Sequence, residues 1–203
     1  MSIVIYSSAV FSGRVAGAIG SKDAALAAAV GQQALYLEAL ERDPVGTPQV
    51  LAALLAGTPP PPAQREVSAY MFISLCQTLQ TPMPHAWHWY LGIDTDPIAE
   101  YLEEDFGISG FSIREQFFSA YSHQCPFELP NYGGFPLVGY VPAAAFPALA
   151  AQMAHIRISE DDLWALKREM DYLRAEAHRH IRALAENITF CAEQDLDLFS
   201  FCH

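Results

Sequence analysis

Between Ser159 and Asp195, apolar residues recur at steps of three or four: Leu163, Leu166, Met170, Leu173, Ala177, Ile181, Leu184, Ile188 and Cys191. That spacing lays one stripe down an α-helix. Ser159 stands in the N-cap position, and Glu160, Asp161 and Asp162 set negative charge at the positive end of the helix dipole. With no Gly or Pro inside it, the pattern predicts a long helix over about 159–195 and an apolar terminal strand over about 196–202. Burying these side chains at about 1.5–3 kcal/mol each outweighs a cap worth ~1 kcal/mol. On this reading Leu173→Asp unfolds the protein and Ser159→Ala does not.

The same reading places a first strand at about 2–7 and a short helix over Phe11–Gly20, then a helix at about 23–41 ended by Asp43-Pro44. Helices at Gln49–Ala56 and Gln64–Gln80 flank the stiff Pro59–Pro62 run, which lacks backbone donors and reads as a loop inside one domain. Pro97 opens a helix through the acidic run that follows, and Ser112 caps one through Tyr121. Cys125–Gly134 is irregular. Leu137–Tyr140 reads as a strand, Pro142 begins a helix that Pro147 must kink or delay, and His155–Ile158 reads as a strand. The expectation is a predominantly helical α+β fold in a single domain, 1–203. Ile3–Tyr6 and Leu196–Phe201 share its small sheet, and the long helix lies across that sheet or against the N-terminal helices.

Composition narrows the function. The formal charge is −12, from 23 acidic and 11 basic residues, and six of the basic ones (Arg157, Lys167, Arg168, Arg174, Arg179, Arg182) lie on or beside the long helix. Such a chain repels nucleic-acid phosphates and anionic membrane. Four scattered cysteines with no C-x-x-C form neither a disulfide framework nor a zinc knuckle. Phe135–Ile156 is uncharged, but Pro136, Pro142 and Pro147 break it as a membrane span. The N-terminus lacks the charged start of a signal peptide, so a cytoplasmic location is expected.

Several features occur together: the N-terminal strand, the Gly20-Ser21-Lys22-Asp23 joint, the helix around Ala69-Tyr70, Leu129-Pro130 with Phe135-Pro136 and Gly139-Tyr140, and the ending Asp197–His203. In these the chain resembles a family of small bacterial proteins of unknown function, distantly similar to the YfbM-like group. The F-P-x-x-G-Y piece and the aromatic ending are its more specific parts. The resemblance implies a single α+β domain and no particular reaction, since that family has no assigned catalytic residues. Proteins of this kind also resemble the immunity partners of bacterial toxins, an association rather than a mechanism.

Candidate chemistry is sparse. Gly13, Gly17 and Gly20 do not make a dinucleotide fingerprint, and no G-x-S-x-G or phosphate loop occurs. His85 and His88 would share a face on a helix, with Asp94, Asp96 and Glu100 following, which suits a metal-dependent hydrolase as the alternative function. His123-x-Cys125 lacks a nameable orienting group. His178 and His180, beside Arg174, Arg179 and Arg182, read as a solvated basic face balancing Glu176 and Glu186. Trp87, Trp89, Phe135 and Tyr140 could line a small-ligand pocket. The acidic run, Asp94, Asp96, Glu100, Glu103, Glu104 and Asp105, is the strongest feature: like charges so close repel unless something offsets them. Flanked by Trp87 and Trp89, it suits docking of a basic protein. The expected function is therefore a non-enzymatic, cofactor-free binding module, an immunity-type inhibitor of a cognate basic toxin.

Overall fold

The computed structural model describes residues 4–59, 64–130 and 136–202. Four antiparallel strands, β1 (Val4–Val10), β2 (His88–Tyr90), β3 (Leu137–Val141) and β4 (Asp197–Cys202), form one sheet in the order β2-β1-β4-β3. The first and last strands of the chain share one sheet, as the sequence predicts, and form its central pair. Every residue of β4 is buried. Strand alternation sends Leu198 and Cys202 to one face and Phe199 and Phe201 to the other. Both faces are covered, so the strand shows the continuous apolar character of a fully buried strand rather than a polar alternation.

One face is covered by the first five helices: α1 (Ser12–Ala18), α2 (Ala24–Val30), α3 (Ala34–Arg42), α4 (Gly46–Ala56) and α5 (Arg65–Leu79). Val15, Val30, Leu55, Phe72 and Leu75 pack there with Phe199 and Phe201. The other face carries α6 (Thr95–Phe106), α7 (Phe146–Met153), α8 (Glu160–Arg168) and α9 (Tyr172–Gln194). Ile98, Leu102, Phe146, Leu163, Leu184 and Ile188 join Ile5 and Leu198 in that second core. The result is an α+β domain in three layers, and α9 lies on the side away from the N-terminal helices.

One row across the sheet is reserved for small residues. Ser7 pairs with Ser200, whose neighbour on β3 is Gly139, and the two hydroxyls hydrogen-bond at 2.8 Å. Over this row sits a π-helical turn, Glu115–Ser119, where the sequence suggests an ordinary helix through Tyr121. A Cβ at position 139 would meet the Phe117 carbonyl oxygen at 1.8 Å. Glycine here answers a close approach of two backbones.

The long helix is two helices. Ser159 is the N-cap of α8 as predicted, and Asp162 completes a capping box with it. The chain then turns through Met170, at φ +63°, and Asp171 caps α9 by accepting from the Arg174 amide at 3.2 Å. Leu163, Ala177, Ile181, Leu184, Ile188 and Cys191 are buried as expected, whereas Met170 and Leu173 are 76% and 57% exposed. The apolar period runs through the break unchanged, and no Gly or Pro marks it. A similar turn at Gly31–Gln33 divides the helix expected at 23–41 into α2 and α3. Pro147 delays α7 behind a 3₁₀ turn, Ala143–Ala145. His155–Ile158 is a connection from α7 into α8 rather than a strand, and it pairs with neither edge of the sheet. Ile3, Pro60–Pro62, the 131–134 part of the irregular stretch and Phe135 lie outside the described residues.

Leu184 is fully buried, so Leu184→Ala should lower stability by about 2–5 kcal/mol in urea unfolding. Leu173→Asp, corrected by the exposure of that side chain, should stay within about 0.5 kcal/mol of wild type. Gly139→Ala should cost about 3 kcal/mol, as overpacking against backbone that cannot yield.

The acidic helix and its seam with the C-terminal helix

The carboxylates of the 94–105 run divide by the helix they ride on. Ile98 and Leu102 face the core of α6 and are fully buried, which turns Glu100, Glu103 and Glu104 outward. At the inner edge, Asp105 takes a bidentate grip from Arg174, at 2.8 Å from Nε and 2.5 Å from Nη2, and its Oδ2 lies 2.6 Å from His178 Nε2. Partial burial pushes the Asp105 carboxyl up, but the hydrogen bonds from Arg174 and His178 outweigh it and hold it below the usual carboxylate range. The Arg174 guanidinium also covers the Tyr101 ring at 4.9 Å and reaches Glu104 at 3.6 Å. Asp94 is occupied differently: it accepts from the Tyr90 amide at 2.7 Å and closes the turn from β2 into α6. Asp96, Glu100 and Glu103 remain exposed, and among the described residues no Lys or Arg stands within ion-pair distance of them.

Trp87 and Trp89 do not flank this surface, and the expectation that they offer contacts to a partner is corrected. They are 4% and 1% exposed. Trp89 pairs with Ile5 across the sheet and turns inward, with His88 and Tyr90 outward. The two indoles meet edge to face at 5.0 Å, and Trp89 Nε1 donates to His180 Nδ1 at 3.0 Å. Burying such large apolar rings is worth more than leaving them at a rim. Tyr140 belongs to the core on the opposite face of the sheet, so these residues line no common pocket. The apolar groups beside the acidic helix include two that the sequence pattern assigns to the core: Met170 and Leu173, with Tyr172 between them, are all more than half exposed. They bracket Asp171, whose Oδ2 lies 3.9 Å from the same Arg174 that holds Asp105.

The histidines serve the scaffold. His85 and His88 lie before and within β2 rather than on a helix, so the shared face expected of H-x-x-H does not form. The His85 backbone exchanges hydrogen bonds with Asn187, at 3.1 and 3.0 Å, and its ring meets Glu186. His88 stacks on Tyr6, centroids 4.7 Å apart. Among the described residues no group of three or more His, Cys, Asp and Glu side chains converges as a metal site. His178 and His180 are not a solvated face: His178 turns into the seam with α6 and His180 is buried against Trp89, while Arg179 pairs with Glu176 and Arg182 with Glu160 at 2.7 Å. The cysteines are free, and burial pushes the thiols of Cys125 and Cys191 up to about 11 and about 12. Neither is a thiolate at neutral pH. No helix among the described residues is long and apolar enough to cross a membrane.

Fold and site together define an acidic, three-layer α+β domain whose charge is neutralised on the inner edge of α6 and left open on the outer one. The chain belongs to the family described as Domain of unknown function (DUF7691), whose model matches residues 1–203. No curated protein and no solved structure matched it.

Burial, and after it the charge of Arg179, holds the His180 imidazole below its ordinary 6.5, against the smaller upward pull of Asp94 and Glu176. The unfolded chain therefore takes up a proton near pH 6.5 that the folded one resists, and stability present above that pH is lost as pH falls. Asp105, also lowered, acts in the same direction at more acidic pH. The urea midpoint should drop between pH 7.5 and 5.5, and His180→Gln should remove most of that drop.

Proposed function

We propose that this protein is a non-enzymatic binding module of the immunity type, one that captures a basic protein, such as a bacterial toxin, on the outer face of α6. The observation that carries this reading is the exposed set Asp96, Glu100 and Glu103, with no cation at ion-pair distance among the described residues. Neighbouring carboxylates repel one another, and a basic partner would relieve that repulsion. The exposed Met170, Tyr172 and Leu173 supply the apolar contacts first sought in Trp87 and Trp89. They are joined to α6 by the shared cation Arg174, which bridges Asp171, Glu104 and Asp105. The overall charge of −12 extends the attraction beyond the contact itself and disfavours polyanions. Such a module would act in the cytoplasm.

The test takes basic polypeptides encoded by genes neighbouring this one as candidate partners, with association followed by surface plasmon resonance. Between about 0.05 and 0.3 M salt the on-rate should fall at least about tenfold, since steering between exposed charges is screened. Combined Asp96→Lys, Glu100→Lys and Glu103→Lys should slow association to a similar degree. Leu173→Asp should shorten the lifetime of the complex while leaving the fold intact. An on-rate indifferent to both salt and charge reversal would sink the proposal.

A further inference from the structure

A cavity of about 710 Å³ lies between α7 and α9 and shares no residue with the acidic run. It falls within the roughly 300–1,000 Å³ typical of small-ligand pockets. Arg182, Glu186 and Glu193 lie along its α9 wall at helical spacing, and Arg182 and Glu193 are about 16 Å apart at 1.5 Å per residue. The wall therefore carries a sign change. At one end Glu160 holds Arg182 at 2.7 Å, and three residues before Glu160 the chain brings Arg157 to the same end. Arg157 donates to its own Ile156 carbonyl at 2.6 Å and meets no carboxylate at ion-pair distance among the described residues. Most of its five N–H donors are thus uncommitted, in a chain where acidic residues outnumber basic ones two to one. Glu193 stands at the other end and Glu186 between, the latter held by His85. Met153 and Phe190 supply an apolar floor.

We infer that this cavity binds a short apolar peptide by its two ends. The C-terminal carboxylate meets Arg157 and Arg182, the aliphatic body lies over Met153 and Phe190, and the N-terminal ammonium points toward Glu193. A guanidinium binds a carboxylate through two parallel N–H donors, which makes Arg157 the specificity-determining contact. Extended chain covers about 3.3 Å per residue, so three or four residues cover about 10–13 Å, and the long Arg and Glu side chains, reaching inward along the wall, close the remaining few ångströms. The glutamates select against ligands carrying two negative charges, nucleotides among them. The Arg182–Glu160 pair is surface-exposed on its acidic side and easily rearranged around a ligand.

The experiment is isothermal titration of the intact protein with trileucine, its C-terminal amide, its N-acetyl derivative and octanoate. Trileucine should bind saturably, the amide about tenfold or more weakly for loss of a charge-assisted contact, and the acetyl derivative and octanoate more weakly than trileucine. Arg157→Gln, at an exposed position, should erase the difference between acid and amide, and Ala151→Phe at the exposed rim should weaken all binding. Absence of saturable binding by trileucine, equal affinity for acid and amide, or an unchanged profile in Arg157→Gln would overturn the inference. Octanoate binding as tightly as trileucine would overturn the role of Glu193 and with it the peptide as ligand.

Discussion

Burying β4 on both faces is the constraint from which the architecture follows. A strand with no solvent side needs a helical layer above and below it and a partner along each edge. The chain supplies these from its distant parts: α1–α5 on one side, α6–α9 on the other, β1 and β3 at the edges. The cost of burying polar groups at the strand's start is offset locally. Asp197, 8% exposed, accepts from the Tyr140 hydroxyl at 2.7 Å, the Ser12 amide at 2.7 Å and the Ala143 amide at 3.0 Å. A buried carboxylate survives only when several donors replace its water. Here those donors come from β3, the start of α1 and the turn before α7, so one side chain ties the strand to both layers. Burial, then the Asp197 carboxylate, push the Tyr140 phenol up, so its proton stays in place as the donor.

Charge is organised by the same layering. The outer layer sets α6 against α9, the acidic helix against the one that holds Arg174, Arg179 and Arg182. Only Asp105 reaches deep enough to use Arg174 and His178 together, and its lowered pKa reflects that. Pairs farther out are screened by water and contribute little to stability. Consequently the inner edge of α6 belongs to the fold, while Asp96, Glu100 and Glu103 on its outer edge stay exposed to solvent.

Much of the architecture was readable because it rests on local rules. The Ser159 N-cap, the terminal strands and the burial of Leu163, Ile181, Leu184 and Ile188 all follow from period and propensity. The break at Met170 did not, since its apolar neighbours keep helical phase on both sides and a left-handed turn at a non-glycine leaves no compositional mark. Trp87 and Trp89 went astray for a related reason. An aromatic next to an acidic run looks alike whether it points in or out, and only the pairing of Trp89 with Ile5 decides its face.

What the sequence determined alone was the kind of protein: a single α+β fold with both termini in the sheet, and a run of carboxylates that no nearby basic residue could balance. Tertiary structure decided which of those carboxylates are spent internally, which apolar groups reach the surface, and where Arg157 and Glu193 face a common cavity. The division has a physical basis. Periodicity and capping act between residues a few positions apart, whereas burial and charge pairing depend on partners such as Asp105 and Arg174, sixty-nine residues apart and 2.5 Å in space.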